Sequence, residues 1–195
     1  MSNFFAMLSR MKYINRWALM RNTYIENISE HSLEVAMIAH ALAIIGNKRC
    51  GKRLDADRAA VIAIYHDATE IITGDMPTPI KYLNKDIIGA YKEIEAQAAN
   101  RLLDMLPDDI REEYNEIFFP ETKEEDEYLC RLVKAADKLS ALIKCIEEGK
   151  TENHEFDSAG KATKKAVAEM NLPEVEIFMK DFLPAYEMTL DELNS

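Results

Sequence analysis

The segment SEHSLEVAMIAHALAIIG, residues 29–46, indicates the fold class of this chain. Ser29 is a favourable N-cap and Glu30 is favourable in the first turn, so the segment begins as helices commonly do. The apolar run Val35 to Ile45 follows, and a glycine marks the exit. We therefore predict a helix from Glu30 to Ile45 that carries apolar side chains into the core.

The rest of the chain shows helical periodicity and almost no strand signal. Pro77 and Pro79 interrupt it and predict an extended loop. No internal repeat, low-complexity segment or long linker divides the sequence. The predicted fold is all-α, a single-domain helical bundle. Further helices are expected at about residues 3–13, from Asp55 or Asp57 to 74, and at 86–106, 109–118, 124–148, 155–170 and 173–182.

The composition is that of a globular protein with an acidic surface. The chain has 195 residues, 48% of them hydrophobic, and a formal net charge of −11. This hydrophobic fraction is too high for a disordered acidic chain. The negative charge argues against a nucleic acid polymer or an anionic membrane surface as partner. His40 interrupts the longest apolar run, which is too short to span a bilayer.

The N-terminus and the cysteines indicate the compartment. Arg10 and Lys12 follow a short apolar patch, which reverses the order found in a signal peptide. Three cysteines cannot all pair, and Cys130 and Cys145 on one helix would lie too far apart for a disulfide. We therefore predict reduced thiols and a cytoplasmic protein.

Three of the predicted helices carry a possible metal ligand in an otherwise apolar stretch. These ligands are His31, the pair His66-Asp67, and Asp137, which follows two alanines. A carboxylate on a core-facing helix is costly unless it is paired, protonated or bound to a cation. Imidazole and carboxylate together suit Mn, Fe, Co, Ni or Zn better than Ca or Mg. His40 lies on the helix face opposite His31, so one metal can bind only one of these two histidines.

This order of ligands resembles the H…HD…D pattern of the HD-domain metal-dependent phosphohydrolases. The flanking sequences resemble one family within that superfamily, the bacterial HD-domain 5′-deoxynucleotidases. They read INRW at 14–17, NISEHSL at 27–33, YHDATE at 65–70 and TGDMPTPIK at 73–81. The resemblance covers nearly the whole chain and loosens after about Gly149. Thr69 departs from the family pattern, where serine is usual, and this small change leaves the implied chemistry intact.

The resemblance implies a role for each residue in these motifs. Arg16 would orient the phosphate, Trp17 would fill the space that a ribose 2′-hydroxyl needs, and Asp75 would accept a hydrogen bond from the 3′-hydroxyl. Taken alone, Trp17 is more typical of core packing and Glu70 of a helix surface. The implied metal ligands are His31, His66, Asp67 and Asp137, and the implied catalytic residues are Glu70 and Arg16. The implied substrate-binding residues are Arg16, Trp17, His31, Asp67, Asp75, Met76, Pro77, Thr78 and Asp137.

The resemblance also implies the activity and the partners. It implies one HD domain over residues 1–195, with a core at about 27–149 on which the C-terminal helices pack. The implied enzyme is a homodimer that hydrolyses deoxyribonucleoside 5′-monophosphates with one divalent transition metal ion, Co²⁺ or Mn²⁺ being favoured over Zn²⁺, Fe²⁺, Ni²⁺ or Cu²⁺. Two alternatives stay open. One is another HD phosphohydrolase, acting on a cyclic dinucleotide, an alarmone or a nucleoside triphosphate, and the other is a non-catalytic nucleotide-binding helical module.

Overall fold

The computed structural model describes residues 1–81, 83–120 and 126–195. Within these ranges the chain is mainly helical, and extended pairing is limited to one antiparallel bridge between Asn15 and Asn27. The all-α prediction is confirmed. The helices are α1 Phe4–Leu8, α2 Ile28–Arg49, α3 Ala56–Tyr65, α4 Glu70–Thr73, α5 Thr78–Lys81, α6 Lys85–Leu103, α7 Asp108–Phe118, α8 Glu127–Lys150, α9 Asp157–Glu169, α10 Pro173–Asp181 and α11 Leu190–Leu193. Short 3₁₀ helices occupy Ser9–Tyr13, His154–Phe156 and Leu183–Glu187.

The main core lies where α2, α3 and α8 pack together. Its buried side chains are mostly aliphatic, among them Leu42 on α2, Ile62 on α3 and Leu139 on α8. Helices α9 and α10 add further residues to the same cluster. A smaller cluster packs Phe4 of α1 against the end of α6. Burial of this apolar surface is the main stabilising contribution, and it fixes the three helices that carry the predicted metal ligands.

Helix α2 is longer than its sequence predicts. Asn27 is the N-cap in place of Ser29, and it forms a capping box with Glu30. The helix passes through Gly46, where a Cβ atom would lie 2.9 Å from Glu174 Oε1, so a small residue is needed there. By length and composition α2 could cross a membrane, but 56% of its most apolar window is buried inside the protein. Its apolar residues belong to the main core.

The helix predicted to end at Gly74 is broken in the structure. Asp55, one of the two predicted caps, is the N-cap of α3, with its carboxylate accepting from the Arg58 N–H. The α-helical pattern then stops at Tyr65, and residues 66–69 form turns whose bonds close over three residues, such as Ala68 N to Tyr65 O at 3.0 Å. Because the helix is interrupted here, the adjacent side chains of His66 and Asp67 can both face neighbouring elements.

The remaining boundaries differ from the predictions by small amounts. The extended loop predicted around Pro77 and Pro79 gives way to one helical turn, α5, which begins at Thr78. Proline is tolerated there because the first turn of a helix leaves its N–H groups without intrahelical partners. The start predicted for the long late helix, at residue 124, lies outside the described residues. Helix α11 and the 3₁₀ helix before it were not predicted.

A buried carboxylate near the end of α8 holds the segment between residues 15 and 27. Glu148 accepts hydrogen bonds from Lys144 Nζ at 2.5 Å, Asn153 Nδ2 at 2.7 Å and the Thr23 backbone N–H at 3.0 Å. Burial opposes the ionised form, but these hydrogen bonds outweigh it and lower the pKa of Glu148 to about 2. The folded state therefore favours the charged carboxylate, and this charge ties the segment to α8.

We expect Glu148 to make the folding stability pH-dependent at acid pH. Its ordinary pKa is 4.5 and its folded-state pKa is about 2, so it stabilises the fold above pH 4.5 and loses this effect as the pH falls toward 2. The replacement Glu148→Gln should lower the free energy of unfolding by about 3 kcal/mol at pH 7 and by less than half of that at pH 3.

Urea unfolding at the two pH values tests this expectation. Glu152→Gln, at an exposed position just beyond the same helix, serves as the matched control and should change the free energy of unfolding little at either pH. A deficit for Glu148→Gln that is equal at pH 7 and pH 3 would show that the ionised carboxylate is not its source.

Candidate metal and phosphate site

The four predicted metal ligands lie close together in the structure. His31 lies in the first turn of α2, His66 and Asp67 in the break after α3, and Asp137 in the middle of α8. One ligand atom from each of His31, His66 and Asp67 lies within 4.8 Å of the other two. Asp137 Oδ1 lies 3.2 Å from His31 Nε2. Residues separated by more than 100 positions are thus brought close together by the packing of α2, α3 and α8.

The chemistry of this cluster fits a divalent cation. The Nε2 atoms of His31 and His66 are buried, and among the described residues neither has a hydrogen-bond partner with good geometry. Buried polar atoms normally have a partner, because an unsatisfied one costs free energy. Asp67 Oδ2 lies 3.5 Å from His31 Nε2 and 3.2 Å from His66 Nε2, so a carboxylate faces both nitrogens. Two imidazole nitrogens and two carboxylates form the mixed donor set that transition metals accept.

The electrostatics around His66 and Asp67 also favour positive charge, whereas burial and Arg16 lower the pKa of His31. Burial disfavours a protonated His66, but the Asp67 carboxylate outweighs burial and raises the pKa of His66 to about 9. The pKa of Asp67 is lowered, since His66 and His31 outweigh the effect of burial. The pKa of Asp137 is lowered by the contact with His31, again against burial. Carboxylates that hold a proton on a neighbouring imidazole would also attract a cation to the same place.

A layer of partners behind the ligands sets the orientation of the two imidazole rings. His66 Nδ1 donates to the Ala63 carbonyl at 2.7 Å, so Nε2 is the ring nitrogen that faces the cluster and that would exchange its proton for a cation. His31 Nδ1 lies 3.0 Å from Ser140 Oγ, which donates to Glu34 at 2.5 Å. If a cation binds His31 Nε2, the ring hydrogen must be on Nδ1, where Ser140 can accept it.

Ser140 and Glu34 were not assigned to the site from the sequence. The spacing of three positions that separates His31 from Glu34, and Asp137 from Ser140, could have identified them, because such residues share a helix face.

Arg16 enters the cluster from the segment that precedes α2. Its Nη1 donates to Glu26 Oε2 at 3.0 Å and to His31 Nδ1 at 2.7 Å, and its Nη2 lies 3.9 Å from Asp137 Oδ1. The contact with His31 needs the ring hydrogen on Nε2, so it would have to break when a cation takes Nε2 and the hydrogen moves to Nδ1. Burial disfavours its charge, but Glu26 and Asp137 outweigh burial and raise the pKa of Arg16. The guanidinium is thus a permanent cation beside the donor set, with a fork of N–H groups suited to phosphate oxygens.

Two more predicted residues, Glu70 and Asp75, bring carboxyl groups near the cluster. Glu70 begins α4, is buried, and has one carboxyl oxygen that finds no hydrogen-bond partner within the described part of the chain. Burial raises the pKa of Glu70 to about 9, and the negative charges of Asp67 and Asp75 add to the effect. Burial also raises the pKa of Asp75, while Arg16 opposes the shift. Each of these carboxyl groups therefore has a higher proton affinity than an exposed one.

The predicted sugar-binding residues occupy two loops. Trp17 is partly buried, has a left-handed backbone with φ of 58°, and donates its indole N–H to Glu26 Oε2 at 3.0 Å. A left-handed conformation is strained for a bulky residue, and such strain is often found at functional sites. Met76 and Pro77 are partly buried, and Thr78 is exposed at the start of α5. Their predicted contacts with a sugar stay predictions.

A cavity of about 640 Å³ opens beside the cluster, a size suited to a small-molecule ligand. His66, Asp67 and Asp137 form part of its wall. The opposite wall is largely apolar and aromatic and comes from α6 and α7, with Tyr91 and Phe118 among its residues. The ligand cluster therefore faces an accessible space.

The fold is shared with solved HD-domain phosphohydrolases. An HD-domain phosphohydrolase from Listeria innocua superposes with a TM-score of 0.81 at 20% identity, over 99% of this chain and 92% of that one. The HD phosphohydrolase DatZ of cyanophage S-2L, solved with dA and one catalytic Zn²⁺ ion, gives 0.68 at 22% identity, over 94% and 96%. The chain belongs to the YfbR-like 5′-deoxynucleotidase family, whose model matches residues 3–186.

Full-length relatives carry the same family name. The 5′-deoxynucleotidase of Vibrio cholerae is 48% identical over 193 residues, which cover 99% of this chain and 98% of the relative. The 5′-deoxynucleotidase of Shewanella oneidensis is 48% identical over 194 residues, covering 100% and 98%. The recognition made from the four sequence motifs is confirmed.

Proposed function

We propose that this protein is a metal-dependent 5′-deoxynucleotidase, which hydrolyses deoxyribonucleoside 5′-monophosphates to the deoxynucleoside and phosphate. One observation carries the proposal: two imidazoles and the Asp67 carboxylate offer atoms within 4.8 Å of one another, a second carboxylate, Asp137, lies 3.2 Å from His31 Nε2, and the Arg16 guanidinium lies beside it. Family membership supports the reaction, because the relatives that match this chain over their full length are 5′-deoxynucleotidases.

The cation is proposed to be held by His31, His66, Asp67 and Asp137. When bound, a divalent transition metal supplies Lewis acidity, which lowers the pKa of water and polarises a phosphoryl oxygen. Co²⁺ and Mn²⁺ are the metals that the family resemblance favours. Zn²⁺ is an alternative that the Zn²⁺ ion in DatZ supports, since the two proteins share the fold. Fe²⁺, Ni²⁺ and Cu²⁺ suit the same donors.

The chain's own residues would bind and orient the phosphate monoester. Arg16 can donate two N–H groups to the phosphate once the guanidinium exchanges its contact with His31 Nδ1 for a phosphate oxygen. Glu70 would be the acid/base group. Its carboxyl group would either orient the attacking water or protonate the departing O5′ oxygen. Both roles need a carboxyl group beside the cluster, and the influence of Asp67 on the pKa of Glu70 supports that position.

The sugar is proposed to lie between Trp17 and the loop from Asp75 to Thr78. The indole would occupy the space needed by a 2′-hydroxyl, and Asp75 would accept a hydrogen bond from the 3′-hydroxyl. Asp75 and Arg16 lie close enough to affect each other's pKa, and this proximity supports the arrangement. Met76 and Pro77 would limit the width of the same pocket.

Phosphate release from a panel of substrates tests the proposed function. The panel consists of deoxy- and ribonucleoside 5′-monophosphates, a nucleoside triphosphate and a cyclic dinucleotide, each assayed after chelation and after readdition of Co²⁺, Mn²⁺ or Zn²⁺. We expect activity on the deoxynucleoside monophosphates only, loss of activity on chelation, and recovery with at least one metal. Activity confined to the triphosphate or the cyclic dinucleotide would replace the proposal with a different phosphohydrolase, and no activity at all would favour a binding module.

The protein is further proposed to act in the cytoplasm as a homodimer. The family resemblance supports both properties. Exposed apolar residues on α2, Leu33 and Met37, each 59% exposed, offer a surface that a second copy could cover. Light scattering of the purified protein would give the mass of the assembly directly.

A further inference from the structure

The buried carboxylate of Glu26 hydrogen-bonds both Arg16, which is proposed to bind the phosphate, and Trp17, which is proposed to contact the sugar. Glu26 is 7% exposed, and its Oε2 accepts from Arg16 Nη1 and from Trp17 Nε1, both at 3.0 Å. The other oxygen, Oε1, lies 4.0 Å from His31 Nδ1. Glu26 lies outside every motif that identified the family, and neither the proposed chemistry nor the proposed substrate contacts use it.

The backbone holds Glu26 opposite Arg16. The Arg16 N–H donates to the Glu26 carbonyl at 2.9 Å, and Asn15 and Asn27 form the antiparallel bridge beside this bond. Immediately after Arg16, the left-handed backbone of Trp17 reverses the chain, and the indole N–H meets the same carboxylate. This strained conformation needs surrounding contacts to maintain it, and the hydrogen bond to Glu26 is one of them.

The other contacts of the Trp17 indole restrain its orientation less than the hydrogen bond to Glu26 does. Trp17 packs against Phe156 with ring centroids 5.3 Å apart, and the Arg16 guanidinium lies 5.7 Å from the Trp17 ring centroid. Such contacts tolerate sliding and rotation, whereas a hydrogen bond fixes the direction of the indole N–H. Since the same oxygen of Glu26 also binds Arg16, it restrains the Arg16 and Trp17 side chains relative to each other.

We propose that Glu26 is a positioning residue that sets the selectivity for deoxyribose. By holding Arg16 and Trp17 in one relative orientation, it fixes the distance between the bound phosphate and the indole that faces C2′ of the sugar. A loss of this restraint moves the indole without removing it, and displacements of about 1 Å can change rates roughly 100-fold. The inference rests on the proposed function, because it assumes that Arg16 binds phosphate and that Trp17 contacts the sugar.

The test compares substitutions at Glu26 that keep or remove its acceptor. Glu26→Ala should lower the ratio of kcat/KM for a deoxynucleotide to that for the matching ribonucleotide roughly tenfold. Glu26→Gln keeps a neutral oxygen that can accept both hydrogen bonds, and it should retain the ratio to within about threefold. Trp17→Ala removes the indole and defines the full loss of selectivity. Glu155→Ala is the matched control, because Glu155 accepts from the Arg21 N–H of the same segment and contacts neither Arg16 nor Trp17.

Fluorescence gives a readout that does not depend on activity. Trp17 is the only tryptophan in the chain, so the emission reports on this indole alone. We expect acrylamide quenching to increase in Glu26→Ala and to stay at the parent level in Glu26→Gln and Glu155→Ala. If Glu26→Ala fails to fold, Glu26→Asp takes its place, because a side chain shorter by one methylene group cannot reach both donors.

The outcomes separate this inference from the proposed function. If the parent enzyme is selective for deoxynucleotides and Glu26→Ala or Glu26→Asp keeps that selectivity, the positioning role is wrong and the function stands. If the parent releases no phosphate, the function is wrong, and unchanged quenching in Glu26→Ala would then reject the positioning role as well. A loss of selectivity in Glu26→Gln equal to that in Glu26→Ala would also overturn the proposal, because the retained oxygen should preserve both hydrogen bonds.

Discussion

Replacement of Asp67 by asparagine should abolish metal binding and lower phosphate release on the order of 10³-fold. Asp67 Oδ2 faces both histidine nitrogens of the cluster, at 3.5 Å from His31 Nε2 and 3.2 Å from His66 Nε2. Asparagine keeps the size of the side chain but removes its negative charge. Asp137 would then be the only carboxylate left among the proposed ligands to balance a divalent cation. It lies at the edge of the group, and its side chain is 40% exposed.

The loss of metal can be measured separately from the loss of activity. A ligand that binds only the folded state raises its stability, so Tm of the parent should rise as Co²⁺, Mn²⁺ or Zn²⁺ is added. Tm of Asp67→Asn should not respond to any of the three metals, and the purified variant should hold no stoichiometric metal. A variant that still binds metal at the parent level would remove Asp67 from the ligand set.

The chain offers a matched control for this substitution. Asp57 forms another histidine–aspartate pair, with Oδ1 3.7 Å from His40 Nε2, on the surface and away from the cluster. Asp57→Asn makes the same chemical change in a solvated pair. It should keep both the metal and the activity, so a loss in this variant would point to a general effect of the substitution rather than to the cluster.

The sequence predicts which polar side chains come together better than it predicts the shape of the elements that carry them. His31, His66 and Asp137 stand out because each interrupts an apolar helical pattern, and such a pattern is local information. The turns at residues 66–69 were not predicted, because the apolar pattern continues from Ile62 to Ile71 and does not reveal whether a hydrogen bond closes over three residues or four. The broken geometry depends on packing between α3 and its neighbours.

The parts of the site that rest on distant contacts were not predictable from the sequence. Glu26 lies in a segment without periodicity, and its importance follows from two hydrogen bonds to residues nine and ten positions earlier. Gly46 was expected to mark a helix exit, since glycine often does so. In the structure it lies inside α2, where its lack of a side chain makes room for Glu174 and Leu54. Both features require the tertiary structure to be known.

Replacement of Glu70 by glutamine should lower kcat by about 10² to 10⁴-fold and leave metal content and KM nearly unchanged. The carboxyl group of Glu70 is buried beside the cluster, and burial together with Asp67 and Asp75 raises its pKa to about 9. Glutamine has the same shape and suits a buried position without a charge, so Tm should fall little. The substitution removes only the ability to take up or release a proton.

A second substrate distinguishes the two proton-transfer roles of Glu70. An aryl phosphate whose leaving group departs without a proton makes a general acid unnecessary, whereas the attacking water must be activated for either substrate. If Glu70 protonates O5′, Glu70→Gln should slow the hydrolysis of dAMP far more than that of the aryl phosphate. If Glu70 orients the water, both rates should fall by similar factors. An unchanged kcat for dAMP would exclude both roles. A loss of metal in Glu70→Gln would instead make Glu70 part of the metal site. Its buried Oε2, which has no hydrogen-bond partner among the described residues, would then be the ligand atom.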